Sequence, residues 1–459
     1  MLQARGLVPE VSREQCARRL TLKPLSGWGR NPIIDGYELY SEDLEAITEG
    51  AVLTRGLGRS YGDSSLPPPD HHRVAAAPLA DRLLAFDPAT GIVRAEAGLS
   101  LRRLNRIFIG RGWFTPVTPG TEYVTLGGMV AADVHGKNHH VDGCFGEHVT
   151  ALRLRVADGR VLEVTEANEP ELFRATLGGL GLTGHILEVE FQLKPIPSPW
   201  IWSEAERVPN LDALIAALGQ AGKSWPYTVC WADCHAKGSS LGRGIIFRGR
   251  WADPSEAPKR LPSEKRTISV PFVFPEWVLN NWTVSAFNSL NYWKQGPGVH
   301  KGVMPPQVFF YPLDAVLNWN RAYGRRGFTQ YQCVLPPART HSPHRRLIEL
   351  LTEKGGTPFL CVIKDCGPEG RGMLSFPKPG ISIAVDIPIR GPGTQALVDA
   401  LNELVIADGG RIYLAKDTFT RPEHYRAMEP RLEAWNAVRR KWDPHRRLRS
   451  AQSVRMFGD

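Results

Sequence analysis

Arg55-Gly56-Leu57-Gly58-Arg59-Ser60-Tyr61-Gly62-Asp63 places three glycines within seven residues. Without a Cβ, each lets backbone N–H groups come close to an anion, so the stretch reads as an anion cradle or as a plain turn. It lacks the G-K-[ST] ending of a nucleotide P-loop. Downstream, Pro119-Gly120-Thr121 leads to Thr125-Leu126-Gly127-Gly128-Met129-Val130-Ala131-Ala132-Asp133-Val134-His135-Gly136-Lys137-Asn138-His139-His140. Small residues dominate Gly127 to Ala132, and a helix start built from them can lie against a flat ring or a pyrophosphate with its N–H groups aimed at charge. His135, His139 and His140 have no carboxylate at ligand spacing and no H-E-x-x-H pattern. Hydrogen bonding to a ligand or to backbone is therefore the stronger reading than a metal site. Gly179-Leu180-Gly181-Leu182-Thr183-Gly184 matches G-x-G-x-x-G, but a helix-like Glu171 to Leu177 precedes it and a strand from Ile186 follows. A dinucleotide site needs the opposite order, which leaves a turn that lays backbone beside a ligand.

Around these runs the alternation of apolar and polar residues is that of strands. Val149 to Val164, turning at Asp158-Gly159, reads as a hairpin, and Leu187, Val189, Phe191 and Leu193 form one face of a half-buried strand. Pro195-Ile196-Pro197-Ser198-Pro199 breaks regular structure and marks a boundary. Beyond it the chain is tryptophan-rich, with a helix at Leu211 to Leu218, strands at Phe328 to Leu335 and Ile381 to Ile389, and an exposed loop at Asp253 to Glu264. Pro422 to Val438 has a helical pattern with proline near its start.

With 459 residues, 42% apolar and 22% charged, the chain is long enough for two or three packed domains and is not a disordered tail. Its 45 glycines and 37 prolines follow no period, which excludes collagen-like and linker readings. Net charge is +9, and Arg421 to Asp459, with ten Lys/Arg and five Asp/Glu, holds +5 of it. Such a balance suits a polyanion, an acidic membrane surface or a phosphorylated substrate. The basic residues are scattered and show no aromatic-basic RNA signature, so no nucleic-acid partner is expected. Met1 to Glu10 has no apolar h-region, no run reaches membrane-spanning length, and seven cysteines are too few and odd for a disulfide scaffold. Cys230 and Cys234 have no second pair at zinc spacing, and no metal is expected. The chain is expected in the cytoplasm or peripherally on the inner membrane face. Tyr413-Leu414-Ala415-Lys416-Asp417 puts a lysine just past a strand end, either an anion binder or base, or one half of a surface Lys–Asp pair.

Taken together, these segments resemble the flavin oxidases of the vanillyl-alcohol oxidase / p-cresol methylhydroxylase superfamily. Within it they resemble the family of the oxidative subunit of decaprenylphosphoryl-β-D-ribose 2′-epimerase. The likeness is carried by the glycine loop ending at Asp63, by H-G-K-N-H-H at His135 to His140, by Trp319-Asn320-Arg321-Ala322-Tyr323-Gly324 and by Gln330-Tyr331-Gln332. Leu374-Ser375-Phe376-Pro377, Ala415-Lys416-Asp417 and Val438-Arg439-Arg440-Lys441 complete it.

The resemblance implies an α+β, two-domain flavin oxidase fold: an FAD-binding domain at 1–197, an α/β substrate domain at 198–404, and a segment at 405–459 that completes the first. It implies that Thr54, Arg55, Gly56, Leu57, Gly58, Arg59, Ser60, Tyr61, Gly62, Asp63 and Ser64 wrap an FAD pyrophosphate. Gly120, Thr125, Leu126, Gly127, Gly128, Ala132, Asp133, Val134 and His135 would line the cofactor, with Ile186 and Tyr413 also against it. Tyr61, Lys137, Gln330, Gln332, Lys364, Ser382 and Lys416 would face a sugar-phosphate pocket, together with His135. Superfamily members that attach FAD covalently often carry histidine where Arg59 stands, so non-covalent FAD is expected.

The implied reaction oxidises the 2′-hydroxyl of a polyprenyl-phosphate sugar to a keto sugar, as the first half of an epimerisation serving cell-envelope arabinan synthesis. Lys416 is the candidate base and His135 its rival, while Lys137 and Lys364 would hold phosphate. An NAD(P)H-dependent short-chain reductase is the expected partner. A soluble aldonolactone- or alditol-type carbohydrate oxidase is the alternative. Three departures from the family pattern stand out: Ala384 at a frequent cysteine, which removes that thiol, and, where substrate is expected, Ser382 at a frequent asparagine and Phe310-Tyr311-Pro312 in place of Tyr-His-Pro.

Overall fold

The computed structural model describes residues 21–263, 266–337, 342–356 and 358–459. The readings made on Met1 to Glu10, on Cys16 and on Glu264 lie outside these residues.

Two small sheets and one large one carry the architecture. Lys23–Ser26, Ile33–Tyr40, Arg73–Ala76 and Thr54–Arg55 form, in that order, a mixed four-stranded sheet whose last strand delivers the glycine loop. Leu83–Phe86, Ile92–Glu96, His185–Gln192, Val149–Arg155 and Val161–Thr165 form an antiparallel five-stranded sheet. Its inward residues, among them Val93, Leu152, Leu154, Val189 and Phe191, pack under the helices Leu101–Phe108 and Leu126–Ala131. Burial of each large apolar side chain of this kind contributes about 1.5–3 kcal/mol.

The third sheet has eight antiparallel strands, ordered Val299–Met304, Ile201–Val208, Gly244–Trp251, Tyr227–Ala232, Cys361–Cys366, Gly380–Pro388, Phe328–Leu335 and Arg411–Ile412. Strand alternation sorts its two faces. Tyr331, Cys333 and Leu335, with Ile383, Val385 and Ile387, pack beneath the helices Leu211–Ala221, Pro343–Glu353 and Pro392–Ala407. The intervening residues Gln330, Gln332, Ser382 and Asp386 lie on the opposite face, and that face is where the polar chemistry collects.

The chain then returns to the first part. Tyr61 N–H donates to the Ala415 carbonyl, Ala451 N–H to that of Leu66, and the Trp435 indole to that of Ala175. The helical pattern from Pro422 to Val438 is two helices, Pro422–Met428 and Leu432–Trp442, rather than one. Pro430 offers no N–H and pushes Glu429 out of the helical region, to φ −120° and ψ 85°. The strand pattern at Val149 to Val164, the strand from Ile186 and the helix before the G-x-G-x-x-G turn all form as the periodicity implies. Among the described residues no helix is long and apolar enough to cross a membrane, and the described cysteines are buried and unpaired.

Candidate active site

The glycine loop is shaped by close packing. A Cβ on Gly56 would lie 2.3 Å from Thr125 Oγ1, and one on Gly62 would lie 1.8 Å from the Asp417 carbonyl oxygen. Gly58 sits at φ +62°, where glycine is the least strained residue. Between these fixed points, among the described residues, the N–H groups of Leu57, Gly58, Arg59 and Ser60 donate to no protein acceptor. Four partly exposed donors in one loop form an anion-accepting concavity. Around Gly120 a Cβ would meet nothing within 4 Å, so the chain leaves open space there.

Several side chains expected at the cofactor are instead committed to the protein. Arg55 donates to Glu38 (3.0 Å), Ser65 and Ser26, so it braces the loop. Asp63 receives a bidentate pair from Arg455 (2.9 Å each), and Arg455 also reaches Asp417. Asp133 accepts from Gly146 N–H and from the Ser375 hydroxyl. Thr54 Oγ1 lies 2.7 Å from His185 Nδ1, Ile186 is packed in the apolar core, and the Tyr413 hydroxyl donates to the Ala132 carbonyl.

The helix start at Thr125 also differs from expectation. Leu126 and Gly127 N–H groups donate to Leu99 and Ala97 carbonyls, and Gly128 N–H to Thr125 Oγ1, so they are spent on packing rather than aimed at charge. What Thr125, Leu126, Gly127 and Gly128 offer is a wall without bulky side chains. Val134 is buried beside it, and Ser60, Tyr61 and Ser64 complete the loop.

Arg59 stacks over Trp28 (4.4 Å to the ring centroid), approaches Tyr123, and donates to the Leu57 carbonyl. Its burial lowers its pKa to about 10.

On the polar face of the large sheet, Gln332 Nε2 lies 2.9 Å from His135 Nε2 and 3.1 Å from Ser382 Oγ. With the Gln332 amide donating, His135 carries its proton on Nδ1, and that nitrogen is buried with no partner among the described residues. Burial, with nearby Lys364, holds this imidazole well below its ordinary pKa, and therefore neutral. Tyr413 and Phe376 stack at 4.8 Å beside the ring.

Lys416 Nζ lies 3.7 Å from the centroid of the Tyr61 ring. Burial, and then repulsion from Lys364, bring its pKa from 10.5 down to about 7, against the pull of Asp386. Asp386 is fully buried and accepts from the Tyr323 hydroxyl (2.9 Å) and from Gln330 Nε2 (2.6 Å). Burial raises its carboxyl to about 6. Lys364 is itself lowered by burial.

Lys137 is buried in the same region and also falls to about 7, but its ammonium donates to the carbonyls of Phe309 (2.5 Å) and Phe310 (2.9 Å). The departure at Phe310-Tyr311 is therefore not a pocket wall. Phe310 packs among Phe114, Tyr227 and Trp251, and the Tyr311 hydroxyl accepts from Asn105. Phe310 reaches the site chiefly through its backbone carbonyl on Lys137, with its ring 5.8 Å from the same ammonium.

His139 accepts from Gly367 N–H, and His140 bonds the Trp225 carbonyl. Among the described residues no three His, Cys, Asp or Glu side chains gather to hold a metal ion.

The site thus unites Tyr61, His135, Gln330, Gln332, Lys364, Ser382 and Lys416, with Lys137 at its margin. The sequence gives Asp386 and Tyr323 no role, although Tyr323 falls inside a quoted motif and Asp386 inside the expected strand Ile381 to Ile389. The signal for Asp386 is its place two residues from Ala384 and four from Ser382 on one face of a buried strand.

Comparison with known proteins gives the following. The family model described as "FAD binding domain" matches residues 46–165. The chain is 36% identical over 442 residues to decaprenylphosphoryl-β-D-ribose oxidase of Mycolicibacterium smegmatis, covering 92% of this chain and 95% of that one. It is 34% identical over 360 residues to an uncharacterized protein in the mprA 5′ region of Streptomyces coelicolor, covering 75% and 96%. L-gulonolactone oxidase of Mus musculus is 33% identical over 117 residues, covering 25% of this chain and 26% of that one.

FAD fits what the residues offer: free N–H donors at Leu57 to Ser60 for its phosphates, open space at Gly120, and the unpartnered Nδ1 of His135.

Proposed function

The chain belongs to the decaprenylphosphoryl-β-D-ribose oxidase family and is an FAD-dependent oxidoreductase, and from that premise we propose its substrate and its working residues. The substrate is decaprenylphosphoryl-β-D-ribose or a closely related polyprenyl-phosphate sugar, oxidised at the 2′-hydroxyl to the keto sugar. The observation that carries this reading is the buried cationic face. Lys364, Lys416 and Lys137 lie within electrostatic reach, and Asp386 is the carboxylate that faces Lys416. Such a face is incomplete without an anion, and a sugar phosphate supplies one.

Bound FAD supplies the hydride acceptor. The loop Thr54 to Ser64 would hold it through the backbone N–H groups of Leu57 to Ser60, and Gly120, Ala132 and Tyr413 would line it. It would be held non-covalently, because Arg59 cannot form the covalent bond a histidine there would form.

Lys416 removes the proton of the reacting hydroxyl at Nζ. With a pKa of about 7, a large share of the amine is unprotonated at neutral pH. Asp386, oriented by Tyr323 and Gln330, offsets the charge of the resulting ammonium. His135 cannot be the base in the tautomer that Gln332 selects, since its free nitrogen bears the proton; it is a hydrogen-bond donor. Lys364 binds the phosphate as a point charge, and Lys137 ties the Phe309–Phe310 backbone to the same region.

We assign 1–197 and 405–459 to the FAD-binding domain and 198–404 to the substrate domain. The keto product requires a reductase to complete an epimerisation, and a nicotinamide-dependent short-chain reductase is the partner we propose. Anaerobic mixing with decaprenylphosphoryl-ribose tests the reading. Bleaching of the flavin by that lipid and not by free aldonolactones supports it. Bleaching by lactones alone makes the chain a soluble carbohydrate oxidase instead.

A further inference from the structure

The helix Asn281–Lys294 is built inside out. Its inner stripe is Val284, Asn288 and Tyr292, at i, i+4 and i+8. Asn288 is spent on a hydrogen bond to Asp233 (3.0 Å). The outer stripe is apolar: Trp282 is 88% exposed, Leu290 70% and Trp293 61%, with Phe287 beside them. The segment leading into the helix continues the surface, with Phe272 exposed and Trp277 at 74%. Soluble proteins seldom leave so many large aromatics together in water.

We propose that this face docks on an anionic lipid bilayer and that the polyprenyl-phosphate substrate enters the site from there. The proposal rests on the substrate reading above. Three observations favour a bilayer over a protein partner.

The first is charge. Residues 258–302 contain six Lys/Arg and two Glu, and the helix itself contains no acidic residue. One of the two, Glu276, is paired with Arg326, and Lys301 is offset by Glu204 outside the segment. A net-positive segment that carries an apolar face matches an anionic headgroup layer.

The second is composition. Tryptophans at 277, 282 and 293 combine an apolar body with an N–H, which suits the boundary between headgroups and acyl chains.

The third is continuity with the site. Phe287 stacks on Phe359 (4.8 Å), and Phe359 meets Tyr323 (6.2 Å). Tyr323 stacks on Phe328 (4.0 Å), and Phe328 meets Tyr61 (5.4 Å), whose ring carries Lys416. Leu279 packs on the same group. A continuous chain of packed aromatic rings therefore connects the exposed face to the buried amines, so the face that would meet the lipid lies against the wall of the site.

The test is flotation of the FAD-loaded protein with phosphatidylcholine vesicles, with and without phosphatidylglycerol. It compares wild type with the triple variant Trp282→Ser, Leu290→Ser, Trp293→Ser. Wild type is expected to float with the phosphatidylglycerol vesicles and the triple variant to lose at least about tenfold in partitioning. High salt should weaken wild-type binding without abolishing it, because only the contribution of the positive charges is screened. Flavin absorbance and turnover of a water-soluble, short-chain prenyl-phosphoryl ribose should be unchanged in the variant, while turnover of the long-chain substrate in vesicles falls. Equal flotation of the two proteins overturns the proposal. So does a wild type that stays in the aqueous phase, including one that forms a dimer which the triple variant dissociates. If wild type floats but the short-chain substrate never reduces its flavin, the substrate reading fails while the docking surface stands.

Discussion

Lys416 has an amine whose charge is nearly balanced at neutral pH because burial and Lys364 oppose protonation while Asp386 favours it. General-base assistance contributes about 10²–10⁴-fold, so Lys416→Ala should lose that much turnover in steady-state assays and keep its bound flavin. A variant with unaltered turnover excludes Lys416 as the base. The active form is the unprotonated amine, so wild-type kcat/KM should rise with pH through about 7 and level off above it. Asp386→Asn removes the attraction that sustains the ammonium. The Lys416 pKa then falls, and the midpoint of the rate profile should move to acid by about one pH unit. A midpoint that moves to alkaline pH instead, or stays fixed, shows that Asp386 does not act on Lys416.

At the scale of elements, the glycine loop and the polar sheet face have different legibility. The loop was readable because backbone approach demands glycine, and the structure explains each position sterically. Gly62 shows this best: a methyl group there would lie 1.8 Å from the Asp417 carbonyl oxygen. Gly62→Ala should cost about 1–3 kcal/mol in thermal unfolding, as overpacked sites do, and should lower the ratio of flavin to protein. Normal stability with full flavin content would mean the loop relaxes freely and is not held by the C-terminal segment. The polar face was only half readable. Gln330 and Gln332 stand out in an apolar strand, whereas Asp386 becomes meaningful only once the register sets it opposite Gln330. Arg55, Asp63 and Asp133 look like ligand contacts in a motif but are spent on Glu38, Arg455 and Ser375. Those partners lie 17, 392 and 242 residues away in the chain, so no local pattern reveals the pairing. The rings of Phe310 and Tyr311 are likewise turned into the core by tertiary packing alone.

For the molecule as a whole, the buried amines set a link between pH, ligand and stability. Lys416 has a pKa of about 7 when folded, against 10.5 ordinarily. Between those values the unfolded chain binds more protons at this position than the folded one, so stability rises with pH across that window. Below about 7 both states are protonated, and the cost of the buried charge is constant and at its largest. Lys416→Met keeps the volume and removes the charge. Its unfolding midpoint should therefore exceed that of the wild-type apoprotein at and below neutrality, with the gap closing as pH climbs toward 10.5. Differencing the two proteins cancels the buried tyrosines and cysteines, which titrate in the same alkaline range. Inorganic phosphate should narrow the gap at neutral pH, because an anion in the site offsets the wild-type charge and has less to offset in the variant. Differential scanning calorimetry over this pH range checks both. A gap independent of pH would mean that the Lys416 amine is charged to the same extent in both states, and the cationic face would then not be the incomplete partner of an anion that the proposed chemistry requires.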